Sequence, residues 1–127
     1  MAQHPWFSSA LFWHTDLDGA IAAATAAGQR LMLVVGRATC AGTRALVERT
    51  LAKEELEQFV REKLVLVAAD ADALAPRIAE MVGSLPVRAP TPLTIYLAVD
   101  GRVLVSTAGG RPPAVLLNDM LNATTRK

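Results

Sequence analysis

Two short apolar runs, Leu31-Met32-Leu33-Val34-Val35 and Leu64-Val65-Leu66-Val67-Ala68, leave this chain few folds to choose from. Each is unbroken and contains β-branched residues, so each reads as a strand buried on both faces, as inner strands of parallel sheets are. Between them lies helical spacing: Leu46 and Val47 point inward, then Leu56, Phe59 and Val60 share one face, with a bend expected near Thr50. A strand, a helical crossover and a second strand make a parallel pair. Farther on, Leu93-Thr94-Ile95-Tyr96-Leu97 and Val103-Leu104-Val105 flank Asp100-Gly101, a two-residue hairpin signal. A parallel pair and an antiparallel hairpin together predict an α/β fold: one central mixed sheet with helices on both faces.

The remaining segments supply those helices. Thr15-x-x-Asp18 resembles a capping box ahead of a helix with Leu17, Ala20, Ile21 and Ala24 inward, and Gly28 stops it as a left-handed residue. Asp72 is placed to cap a helix carrying Leu74, Ile78 and Val82 that ends at Gly83, with Pro76 near its first turn. Ser84 to Pro92 holds three prolines and reads as a loop. Gly109-Gly110 breaks the chain, and Pro112-Pro113 opens a last helix with Leu116, Leu117, Met120 and Leu121. Residues 1–14 read as an aromatic-rich, irregular arm, and residues 15–124 as a single domain. In the arm Trp6, Phe7, Phe12 and Trp13 either pack on the core or mark a partner or homodimer contact, and His4 and His14 are expected on the surface.

Composition removes several function classes. A chain of 127 residues, 52% hydrophobic, has the material for one core. A net charge of +1 without a Lys/Arg cluster argues against nucleic acid. No apolar run approaches the ~20 residues of a membrane span. Met1 to Trp6 lacks the basic start and apolar stretch of a secretory signal, so the chain as given reads as cytoplasmic; a trimmed exported precursor would read the same. One cysteine excludes an internal disulfide, and with His4 and His14 it supplies no zinc ligand set, so no metal is expected.

That cysteine, Cys40, follows the first apolar run at the head of a helix. A helix N-terminus carries roughly half a positive charge and N–H groups without partners. Both favour S⁻ over SH and can bring a thiol pKa from about 8.5 to 7 or below. Arg37 and Arg44 are close enough in sequence to add to this effect. Three residues on stands Thr43, whose hydroxyl can hydrogen-bond a thiolate but cannot resolve a disulfide as a second cysteine would. The plainer reading, a small half-buried residue at a helix start, stays open beside the reactive one. Asp70 and Asp72 read as a strand end and a helix cap. Gly109-Gly110-Arg111 reads equally as an anion site or as a loop into a helix.

The chain from about Trp13 to Leu121 resembles the thioredoxin-like fold family. The resemblance is carried by Trp13-x-x-Asp16, the helix ending at Gly28, the strand into Cys40, Leu66-Val67-Ala68-Ala69-Asp70, and Thr91-Pro92-Leu93-Thr94-Ile95-Tyr96-Leu97-Ala98-Val99-Asp100-Gly101. It implies a thioredoxin-like three-layer α/β/α fold in which a cis proline lies beside the reactive cysteine. Counting back from Gly101 selects Pro92 for that role; counting forward from Val87 falls between Pro90 and Pro92. The family pattern has cysteine where Thr43 stands, tryptophan at Thr39 and a buried acid at Val34. Those departures imply a monothiol site rather than a general disulfide reductase. Cys40, Thr43 and Pro92 become the candidate catalytic residues, and Thr91, Thr39, Arg37 and Gly109 the candidate substrate contacts. The implied function is mixed-disulfide formation with a protein or with glutathione, the latter as co-substrate and with no other cofactor. The alternative is a redox-inactive module that binds a protein in the same groove or through the aromatic arm.

Overall fold

A computed structural model describes residues 4–85 and 91–126. Five strands, β1 (Trp13–His14), β2 (Arg30–Gly36), β3 (Leu64–Asp70), β4 (Leu93–Leu97) and β5 (Val103–Ala108), form one sheet in the order β1-β3-β2-β4-β5. The two apolar runs are parallel neighbours, from Arg30 opposite Leu64 to Gly36 opposite Asp70. On the other side of β2, β4 runs antiparallel with Leu31 opposite Leu97, and β5 completes the hairpin. The edge strand β1 pairs with β3 through Trp13 opposite Leu66. Its residues read as irregular in the sequence because two residues carry no strand periodicity.

The helices are α1 (Leu17–Ala27), α2 (Ala41–Ala45), α3 (Glu54–Lys63), α4 (Pro76–Gly83) and α5 (Pro113–Thr125), with a π turn at Leu46–Thr50 between α2 and α3. Strand residues alternate between two cores. Met32, Val34, Leu66 and Tyr96 meet Leu46, Leu56, Val60, Leu116 and Met120 on one face. Leu31, Leu33, Val67 and Ile95 meet Leu17, Ala20, Ala24 and Ile78 on the other. Helices thus cover both faces, and each fully buried leucine or isoleucine contributes about 1.5–3 kcal/mol. The three-layer α/β/α arrangement expected from the sequence is the arrangement found. Among the described residues, no helix is long and apolar enough to cross a membrane.

Several local readings are corrected. Asp16, not Thr15, caps α1: its carboxylate accepts from the Gly19 N–H at 2.9 Å. Asp16→Ala should therefore lower stability by about 1 kcal/mol, read as a lower urea midpoint at unchanged slope. An equal loss in Thr15→Ala would contradict that assignment. Gly28 ends the helix at φ +66°. Helix α4 begins at Pro76 without a side-chain cap, because the Asp72 carboxylate is held by Arg37 at 3.0 Å. The hairpin loop runs from Ala98 to Arg102 rather than over two residues. Gly101 N–H bonds the Ala98 carbonyl at 2.9 Å, and Gly101 takes φ +90°. Asp-Gly here closes an ordinary turn with its glycine in the left-handed position, instead of filling both central positions of a tight one. His4, expected on the surface, is buried, as are Leu11 and Trp13, whereas Phe12 is 61% exposed.

Candidate functional site

Strand β2 ends at Gly36, and this glycine decides how closely the next helix can approach. A Cβ there would lie 2.5 Å from the Thr43 methyl and 2.7 Å from its hydroxyl oxygen. Thr43 is fully buried in the space, and its Oγ1 accepts the Arg37 N–H at 3.4 Å. The chain turns through Ala38 and Thr39, both exposed, and the Cys40 N–H bonds the Arg37 carbonyl at 3.1 Å. Cys40 then caps α2 with extended backbone, its sulfur free of any capping bond.

Far along the chain, the Thr91–Pro92 peptide is cis, and it meets Cys40. The Thr91 hydroxyl donates to the Cys40 sulfur at 3.1 Å, and the thiol faces the Thr91 carbonyl at 3.5 Å. A Cβ on Gly42 would come within 3.1 Å of Pro92 Cδ and 3.8 Å of Cys40 Sγ, so glycine lets helix and proline close on the sulfur. Gly109, at φ +76°, donates its N–H to the Pro92 carbonyl at 2.8 Å and ties the loop before α5 to the same spot. Pro90, the other position the proline count allows, lies outside the described residues, as does Val87.

The thiol is drawn down to about 7 by the Thr43 hydroxyl, then the Thr91 hydroxyl, with smaller help from the N–H groups of Thr43 and Gly42 against burial. Hydrogen bonding to the charged form favours it. Among the described residues, the Thr91 hydroxyl is the one group in hydrogen-bond geometry to donate to the sulfur. The direct bond is thus from Thr91, while the Thr43 hydroxyl, which accepts the Arg37 N–H on oxygen, keeps its own O–H to turn toward the sulfur. The arginines act elsewhere: Arg37 pairs with Asp72 and Arg44 with Glu48. Neither contributes to lowering the Cys40 thiol. Beside Gly42 and Pro92 opens a hollow of about 210 Å³, lined also by Leu46, Thr94, Gly109 and Arg111. Arg111 is bound through two nitrogens to the buried Asp119, at 2.9 and 3.1 Å, and the Gly109 N–H is already engaged. Two donors on which an anion would draw in this turn, the Gly109 N–H and the Arg111 guanidinium edge, are thus already engaged.

Residues 12–97 match the family model described as Thioredoxin-like. The chain belongs to the thioredoxin-like family. No curated protein matches it in sequence. Among solved structures, a thioredoxin from Thermus thermophilus superposes with a TM-score of 0.72 at 17% identity, over 89% of this chain and 86% of that one. A poplar thioredoxin h mutant gives 0.64 at 16% identity, over 94% and 88%. A disulphide isomerase from Xylella fastidiosa Temecula1 gives 0.61 at 20% identity, over 85% and 82%. These likenesses establish the shared fold.

In this thioredoxin-like protein, Cys40, Thr43, Thr91, Pro92 and Gly109 come together, while Thr39 stands on the exposed loop and Arg37 turns to Asp72. Val34 is buried in the sheet. Three contributions are not legible in the sequence: the Thr91 hydroxyl, Gly36 and Gly42. The side-chain role of Thr91 was hidden, since only its backbone was read as a contact. Gly36 and Gly42 give no local turn signal; what marks them is proximity to Thr43 and Pro92. Among the described residues, no three His, Cys, Asp or Glu side chains converge to hold a metal.

Proposed function

We propose that this protein is a monothiol thiol–disulfide exchange protein acting through Cys40. The observation that carries the reading is a half-buried thiol drawn down to about 7, with a hydroxyl donor 3.1 Å away and no second cysteine in the chain. The Cys40 thiolate attacks one sulfur of a disulfide in a protein or in oxidised glutathione. A Cys40–substrate S–S bond forms, the old S–S bond breaks, and the second sulfur leaves as thiolate. An external thiolate then attacks the mixed disulfide and expels Cys40, whose low pKa makes it a good leaving group. Thr91 and Thr43 stabilise the charge on sulfur at both ends of the cycle. The backbone of Thr91 and the hollow beside Pro92 and Gly109 receive an extended peptide, with Thr39 and Arg37 at the rim.

A pH titration of Cys40 alkylation tests this. The midpoint should lie near 7. Thr91→Val should move it up toward the ordinary value of about 8.5, and Thr91→Ser should restore it. A wild-type midpoint at or above the ordinary value would favour the second reading, a binding module with an inert sulfur. That reading draws on buried Val34, which offers no proton acceptor beneath the site.

A further inference from the structure

His4 is 6% exposed, and its ring is enclosed by aromatic side chains: Trp13 edge-on at 4.7 Å, Trp6 edge-on at 5.2 Å and Phe7 stacked at 5.6 Å. Its Nδ1 accepts the backbone N–H of Trp6 at 3.2 Å, so the neutral ring carries its proton on Nε2. That nitrogen is buried and has no partner among the described residues. A second proton would have to enter at Nδ1. It would turn the acceptor of the Trp6 N–H into a donor facing it, and place a cation in an apolar box.

The same segment lies along the helix that Cys40 heads. The Phe7 ring sits under the Arg44 guanidinium at 6.0 Å, and Ser8 and Glu48 line one hollow. Arg44 and Glu48 pair with each other, Arg61 holds the Ala10 carbonyl at 3.3 Å, and Asp70 lines the hollow beside Trp6. None of these charged groups forms an ion pair with His4. We propose that His4 is the pin of an acid-released latch, whose protonation frees the segment from His4 to Phe12 from the flank of the Cys40 helix.

Burial holds His4 at about 4 against an ordinary 6.5. A group whose folded pKa is depressed favours the docked state fully above its ordinary value. The latch is therefore at full strength above pH 6.5 and weakens as pH falls toward 4, where the loss levels off. The gap corresponds to about a 300-fold loss in the docking equilibrium. Both tryptophans of the chain, Trp6 and Trp13, touch His4, so tryptophan fluorescence reports on this box. Acrylamide quenching of the full chain should rise as pH falls from neutral to 4, with far-UV circular dichroism unchanged. His4→Phe, which keeps an aromatic ring, and His4→Gln, which keeps an acceptor for Trp6, should both stay flat; if one fails to fold, the other decides. An equal rise in the folded variants, or no rise in the wild type down to pH 4, overturns the proposal.

Discussion

Incubated with oxidised glutathione, the native protein is expected to accumulate a mixed disulfide on Cys40 that persists until an external thiol is added. A dithiol site shortens the life of this species because its second sulfur attacks from within. Here the position is occupied by Thr43, whose hydroxyl is a far weaker nucleophile than a thiolate. Wild type should therefore behave as its own trapping variant, with near-complete modification in intact-mass spectra and none in Cys40→Ser. Thr43→Cys should shorten the adduct's life and raise disulfide reductase activity, with buried Val34 still limiting the second proton transfer. Absence of the adduct under conditions that modify a free model thiol would leave the binding-module reading in possession.

Gly36→Ala should cost about 1–3 kcal/mol, the range for forcing a methyl into a packed interior. Elsewhere, replacing glycine by alanine at a compatible backbone commonly stabilises by about 0.4–1 kcal/mol through the unfolded chain. The sign here is set by the 2.5 Å approach of the new methyl to Thr43, which is fully buried and backed by α2. Urea denaturation reads the loss, and a double-mutant cycle identifies its origin. In a Thr43→Ala background most of the penalty should vanish. A penalty of the same size there would mean that Thr43 is not what the methyl strikes. Displacing Thr43 should also raise the alkylation midpoint of Cys40, linking packing behind the site to reactivity at its surface.

The local rhythm of the sequence carries the elements well. Leu31 to Val35 and Leu64 to Ala68 need no partner to announce buried strands, since both their faces are apolar. Gly28 and Gly83 stop their helices where expected, and the hairpin falls around Asp100-Gly101. Errors concentrate where a side chain had a choice of bond. Asp72 faces a helix start in sequence, yet its carboxylate goes to Arg37, 35 positions away, at 3.0 Å. Thr15 and Asp16 are both capable caps, and geometry alone selects the second. His4 reads as a surface residue because polarity is a property of the residue, whereas burial depends on Trp6, Phe7 and Trp13 closing around it.

By itself the sequence determined the mixed sheet, its covering helices and a lone cysteine after the first buried strand, because these follow from hydrophobic period and chain order. It also placed Thr43, and not a second cysteine, three positions after Cys40. Only the tertiary structure decided what holds the thiolate. Thr91 lies 51 positions from Cys40, and its hydroxyl reaches the sulfur because β4, which it precedes, pairs beside β2, which leads into Cys40. Gly36 and Gly42 are likewise silent until Thr43 and Pro92 are brought against them. A hydrogen bond to sulfur depends on positions in space to a few tenths of an ångström, and one-dimensional spacing holds no such information once the partners stand on different strands.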